Sequence, residues 1–163
     1  MRFLLASALT LLPGIASALS CLPPNPGREL NAWADRGKVQ HVVTGTLTRD
    51  DPPPQRAGYT EVTAEYRLRG VRYFDDGTEA AYSARIAYRS GCAASWCGRI
   101  PPSGTTGLFL VRPRGKSVPL VSTGPCGGGH YKVPDDRGIS ALKACLQAGR
   151  CSGADLQDLG YRR

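Results

Sequence analysis

Residues 92–126, CAASWCGRIPPSGTTGLFLVRPRGKSVPLVSTGPC, carry three of the chain's six cysteines, one of its two tryptophans and a β-hairpin pattern. Within them, 106–112 (TGLFLVR) is an apolar run of strand length and 117–122 (SVPLVS) is a second. The turn-forming Pro113-Arg114-Gly115 separates the two. Cysteines close both outer ends of the hairpin. A stretch of this kind belongs in a small β-domain whose strands are stapled to distant parts of the chain, and the remainder has to fold around it.

The length of 163 residues, less a leader, suffices for one ordinary domain with a single core. The leader is legible in residues 1–18, MRFLLASALTLLPGIASA. One charge at Arg2 precedes an apolar run over 3–12, then a Pro13-Gly14 break and the small-x-small pattern Ala16-Ser17-Ala18. A membrane span needs about 20 unbroken apolar residues, and the Pro-Gly break denies this run that length. Cleavage after Ala18 leaves Leu19 as the mature terminus, and the register Ala18-Leu19-Ser20 leaves Cys21. Lipid attachment at Cys21 is disfavoured, because Ala18 stands where a bacterial lipobox has a large aliphatic residue. The expected location is secreted or periplasmic.

Cys21, Cys92, Cys97, Cys126, Cys145 and Cys151 make an even count in a chain bound for an oxidising compartment, so three disulfides are expected. Spacing leaves their connectivity open, although Cys145 and Cys151 are close enough around a helix end to pair. The competing arrangement is a zinc site from Cys92, Cys97, Cys126 and His130, ligand types that zinc accepts. A spacing of four between the first two is unusual for it, and disulfide formation competes for the thiols. No metal or cofactor is expected.

The formal charge of +8, one unit less once Arg2 is removed, is spread along the chain without a basic run. It favours acidic partners in general and gives no reason to single out nucleic acid. With two histidines and cysteines expected to be oxidised, no Ser-His-Asp or Cys-His arrangement can be assembled, and catalytic residues are not expected. His41 has no second histidine or carboxylate near it in sequence and reads as a structural residue.

In chain order, three prolines keep residues 19–26 extended. Asn25 can cap a helix with Pro26 at its first position, and 28–36 (RELNAWADR) places Leu30, Trp33 and Ala34 on one face before Gly37. Trp33 reads as a core anchor. Residues 39–48 (VQHVVTGTLT) are a strand in which Gly45 marks a bulge or sharp bend. A polar, proline-rich loop covers 49–58. Residues 60–69 (TEVTAEYRLR) alternate Val62, Ala64, Tyr66 and Leu68 with polar neighbours, and 79–88 (EAAYSARIAY) returns through the Asp75-Asp76-Gly77 turn. The run Gly127-Gly128-Gly129 before His130 lacks the Lys-Ser/Thr of a phosphate loop and reads as a turn. Asp135 or Asp136 then caps a helix through Ile139, Leu142, Cys145 and Leu146 to Gly149. In the tail, 153–163, one short helical turn is expected around Leu156 and Leu159.

The expected fold is therefore mainly β, a five-stranded OB-fold-like barrel with a short N-terminal helix and a C-terminal helix, stapled by disulfides. Cys21-x-Pro23-Pro24-x-Pro26, Val43-Thr44-Gly45, Cys97-Gly98, Gly107-Leu108-Phe109-Leu110 and Cys126, in that order, resemble the netrin-like domain. The resemblance is to the inhibitory N-terminal domain of the tissue inhibitors of metalloproteinases and covers residues 19 to about 131, within a domain drawn over 19–152. In that family the mature chain opens Cys-x-Cys, and its terminal amine and carbonyl chelate the zinc of a bound protease. Cys21 matches the second of those cysteines, so Leu19 stands where the first belongs.

The resemblance implies a binding segment of Leu19, Ser20, Cys21 and Leu22, a Cys21–Cys126 disulfide, and a Cys92–Cys97 disulfide because Cys97 has lost its family partner. Without the staple at Leu19, preorganisation and affinity fall. The expected function is a non-enzymatic, exported module that binds another envelope or extracellular protein. A metalloprotease inhibitor acting through Leu19 is the second reading. A polyanion binder using Tyr66, Tyr82 and Arg85 on the barrel face is the third.

Overall fold

Alternation builds the longest hairpin of the molecule. In the computed structural model, which describes Cys21 and residues 24–37, 40–52 and 54–159, β2 (Val62–Tyr73) pairs with β3 (Glu79–Ser90) in unbroken antiparallel register from Val62↔Ser90 to Tyr73↔Glu79. The leader, Leu19, Ser20, Leu22 and residues 160–163 lie outside the described residues. β2 continues past the expected end at Arg69 because Val71, Arg72 and Tyr73 keep their partners on β3. The turn is held by Asp76, whose Oδ1 accepts from Thr78 N at 2.8 Å and from Thr78 Oγ1 at 2.6 Å.

β1 (His41–Thr48) lies against β2 along one edge and against β6 (Thr106–Arg114) along the other, both antiparallel. β6 returns through a hairpin to β7 (Ser117–Thr123), and β7 runs parallel to β3. Hydrogen bonding therefore closes a ring in the order β1-β2-β3-β7-β6. β8 (His130–Tyr131) adds to β6, while β4 (Cys92–Ala93) and β5 (Trp96–Cys97) form a two-stranded sheet of their own.

The hairpin turn falls later than Pro113-Arg114-Gly115. Arg114 pairs with Ser117, so Gly115 and Lys116 make the turn, and the register shifts between Arg112 and Arg114. Pro113 is the cause, since it has no N–H to give to the ladder.

Gly45 does make β1 special, but not by a bulge, because the register is continuous on both of its edges. Gly45 pairs with Gly70 on β2 and with Gly107 on β6, a row of three glycines across three strands. A Cβ at Gly45 would lie 2.3 Å from the Arg69 carbonyl oxygen, and one at Gly70 would lie 1.9 Å from that of Thr44. Backbones pass too closely there for any side chain, and that approach lets the strands coil into a ring.

Period-two alternation then divides the side chains between two cores. Val43, Leu47, Leu68, Ile86, Tyr88, Phe109, Val111 and Val121 fill the inside of the ring. Each contributes roughly 1.5–3 kcal/mol by leaving water. Val42, Tyr73, Leu108, Leu110 and Tyr131 face outward into a second core under the helices. Those helices are α1 (Pro26–Ala34), α2 (Asp136–Gln147) and α3 (Gly153–Asp158).

α1 begins at Pro26 as expected, with Asn25 Oδ1 accepting from Arg28 N at 3.1 Å, and it ends at Ala34, two residues before the expected Arg36. Trp33 on its inner face is buried, and the Arg112 guanidinium lies over the indole at 4.2 Å. α2 delivers Leu142 and Cys145 to the outer core, and α3 delivers Leu156 from its own turn with Leu159 just beyond. The Cys145–Cys151 disulfide ties α2 to the segment leading into α3, and Asn31 of α1 bonds both the N–H and the carbonyl of Cys151. Among the described residues, no helix is long and apolar enough to cross a membrane.

Candidate functional site

Two ties hold the N-terminal segment against the loop that leaves β7. The first is covalent: Cys21 is bonded to Cys126 with their Cα atoms 5.2 Å apart. Cys126 sits in a tight turn, for Gly124 and Gly127 exchange both backbone hydrogen bonds, at 3.1 and 3.0 Å, around Pro125-Cys126. The second tie is a pair of hydrogen bonds. Glu29, in the first turn of α1, accepts a hydrogen bond from Gly129 N at 2.9 Å and another from the Tyr131 hydroxyl.

The glycine run is thus a built element. Gly127, Gly128 and Gly129 all have positive φ, at +85°, +101° and +66°. Only glycine sustains three such residues in succession, and the last of them points its N–H at the Glu29 carboxylate.

Beside this junction lies a cleft of about 480 Å³, lined among others by Tyr88, Cys97, Pro101, Thr123, Gly127 and His130. His130 stacks on Phe109 with ring centres 4.7 Å apart and meets Tyr88 edge-on at 6.4 Å. Gly107 makes room for that imidazole, since a Cβ there would lie 2.5 Å from Nε2. Tyr66, beneath, donates its hydroxyl to the Pro101 carbonyl at 2.5 Å and fixes the segment that walls the cleft.

Burial decides the charge states. It lowers the His130 pKa below 6.5, so the imidazole is neutral at neutral pH. It pushes the Tyr88 phenol up to about 12, against the opposing hydrogen bond with Thr123. The cleft therefore presents a neutral imidazole and phenol on largely apolar walls with one cation, Arg99, in its lining, suited to holding a ligand segment by shape and hydrogen bonds.

Of the expected binding residues, Cys21 is the one the structure describes, and its bond to Cys126 puts it next to Pro125 and Gly127 of the cleft. The zinc set of Cys92, Cys97, Cys126 and His130 is not assembled, because Cys92 is bonded to Cys97 and Cys126 to Cys21. Tyr66, Tyr82 and Arg85 do not form one face either, since Tyr66 and Arg85 border a common pocket beside 48–51 whose lining does not include Tyr82. Even-numbered residues of β2 and β3 turn into the ring, where Tyr66 is 2% exposed, while the Arg85 side chain stands outside in an ion pair with Glu65.

His41 is half-buried and lies edge-on to Tyr82 at 6.2 Å, six residues or about 20 Å along β3 from Tyr88. Its pKa is lowered first by burial and then by Arg72. Glu29 was without a signal in the sequence, because its main partner is a backbone N–H. An acidic residue early in a helix reads as a complement to the helix dipole.

No family model, no curated protein and no solved structure matches this chain.

Proposed function

We propose that the chain is a non-enzymatic binding module of netrin-like type, built on an OB-type barrel and exported to act on another envelope or extracellular protein. The ring order β1-β2-β3-β7-β6 with parallel β3 and β7, and helices packed outside it, support the barrel reading. Three disulfides suit an oxidising compartment.

One observation carries the binding reading: the Cys21–Cys126 bond fixes Cys21 beside Pro125 and Gly127, which line the 480 Å³ cleft. A residue fixed in advance loses little freedom when a partner docks on it, so more of its contact energy appears as affinity. The partner is a protein that contacts the segment from Leu19 to Leu22 together with the 123–130 loop.

The same bond favours inhibition of zinc metalloproteases as a second reading, through the Leu19 amine and carbonyl. Leu19 carries no disulfide, so the expected inhibition is weak.

Site-specific photo-crosslinking in the native envelope tests the first reading. A crosslinker at Pro24 or Pro125 is expected to give a discrete protein adduct that disappears when Cys21 and Cys126 are both changed to Ser. Equal adducts from exposed Gln157, on α3, would overturn it. For the second reading, mature protein starting at Leu19 is assayed against zinc metalloproteases beside protein with one extra Ala in front. Equal inhibition by the two rules out amine chelation.

A further inference from the structure

The Cys92–Cys97 disulfide sits in a setting of its own. β4 and β5 pair Cys92 opposite Cys97 outside the six-stranded sheet. Their turn holds Ala94 at φ +51°, a conformation side-chain-bearing residues adopt only under constraint.

Arg56, from the proline-rich loop, reaches onto this hairpin. Its Nη1 lies 2.5 Å from Cys92 Sγ and 2.7 Å from the Thr60 carbonyl oxygen. Its Nη2 donates to Ser90 Oγ at 2.6 Å and to the Gly98 carbonyl at 3.0 Å. Ser90 is fully buried and itself donates to Gly98 O, so the guanidinium is held from several sides. The other half of the disulfide, Cys97, lines the cleft.

One sulfur therefore touches a fixed cation while the other borders a space that a second molecule can enter. A cation beside a cysteine stabilises its thiolate, and a stabilised thiolate is the better leaving group in disulfide exchange.

We propose that Cys92–Cys97 is a thiol–disulfide exchange site, opened by a dithiol partner and closed by a partner in the disulfide form through the same steps in reverse, with Arg56 holding Cys92 as the leaving thiolate. A thiolate of the partner enters the cleft and attacks Cys97 Sγ. The electron pair of the broken S–S bond leaves on Cys92, and a mixed disulfide joins Cys97 to the partner. The partner's second thiol loses its proton to solvent and attacks its own sulfur bonded to Cys97. Cys97 departs and takes up a proton. Two electrons pass from the dithiol, which ends as a disulfide, to the Cys92–Cys97 pair. Because the hairpin stands apart from the ring, the cycle leaves both cores in place. The inference rests on the contacts of Arg56 and Cys97 and is independent of the netrin-like reading.

The test uses folded, full-length mature protein at pH 7 in a dithiothreitol series, quenched with N-ethylmaleimide and mapped by peptide mass. Cys92 and Cys97 are expected to label at about tenfold lower dithiothreitol than buried Cys145 and Cys151, with the far-UV circular dichroism unchanged. Once reduced, Cys92 should react with iodoacetamide with a pH midpoint about one unit or more below the ordinary value near 8.5. Arg56→Gln should raise that midpoint by about one unit, and Arg56→Lys should restore most of the shift. Opening of all three disulfides in one step, or an ordinary Cys92 midpoint in the unaltered protein, would overturn the proposal without recourse to any variant.

Discussion

Glu29 and Gly129 are separated by 100 positions, yet the carboxylate of one accepts from the backbone N–H of the other at 2.9 Å. The bond makes the first turn of α1 part of the same structure as the glycine loop. Glu29→Ala removes the carboxyl acceptor of two donors, and a hydrogen bond to a carboxylate contributes about 1.5–3 kcal/mol. The expected loss is roughly 2 kcal/mol in urea unfolding, with Glu29→Gln costing less than half of that because one acceptor oxygen remains.

Acid weakens the fold through its two histidines. Burial holds the His130 pKa below 6.5, and burial followed by Arg72 does the same for His41. Both groups return toward 6.5 when the chain unfolds, so below that value the unfolded state binds more protons. The stability is fully present above 6.5 and is lost as the pH falls through the folded-state values, with a slope of at most about 1.4 kcal/mol per pH unit for each group. Thermal unfolding from pH 8 to pH 5 should show a falling Tm. His130→Phe, which keeps the stack on Phe109, should flatten that dependence.

The glycine row is intolerant of any side chain. Gly45→Ala puts a Cβ against the Arg69 carbonyl, which cannot retreat without opening the β1–β2 ladder, and a loss of about 3 kcal/mol or more is expected. Gly104 offers the control. It has φ +87° and nothing within 4 Å of an added Cβ, so Gly104→Ala carries only the conformational cost of about 1 kcal/mol. Equal losses for the two in chemical unfolding would contradict the close-approach account.

Tyr66→Phe should release the wall of the cleft. The hydroxyl is buried and bonds the Pro101 carbonyl, so its removal costs about 1–3 kcal/mol and leaves that oxygen unpaired. Hydrogen exchange should rise at Ile100 and at 103–105 while the β2–β3 ladder stays protected.

What could be read in the residues followed from whether the signal was local. Asn25-Pro26 and Asp135 announced their helices, because a cap and the bonds it satisfies lie within three positions of each other. β2 and β3 were legible from alternation on either side of an Asp-Gly turn. Alternation also said that Tyr66 and Arg85 face opposite ways, yet a face assigned from residue type alone had joined them. β4 and β5 escaped because two-residue strands have no period. The row of Gly45, Gly70 and Gly107 escaped because its members meet through register across 62 positions, and a lone glycine in a strand looks like a bulge. The cleft was equally hidden, since it gathers Tyr88, Cys97, Thr123 and His130 from separate segments.

β1 has a partner on each edge, and the second of them, β6, begins 58 residues after β1 ends. As the chain is made, β1 can dock on β2 early, but its other edge stays open until Val111 is present to face His41. The closing contact is thus non-local, with the loop entropy of the intervening hairpin already spent, and such contacts set slow folding rates. Until then the molecule is an open, sticky sheet with a free edge, and it is in that interval that aggregation competes with folding.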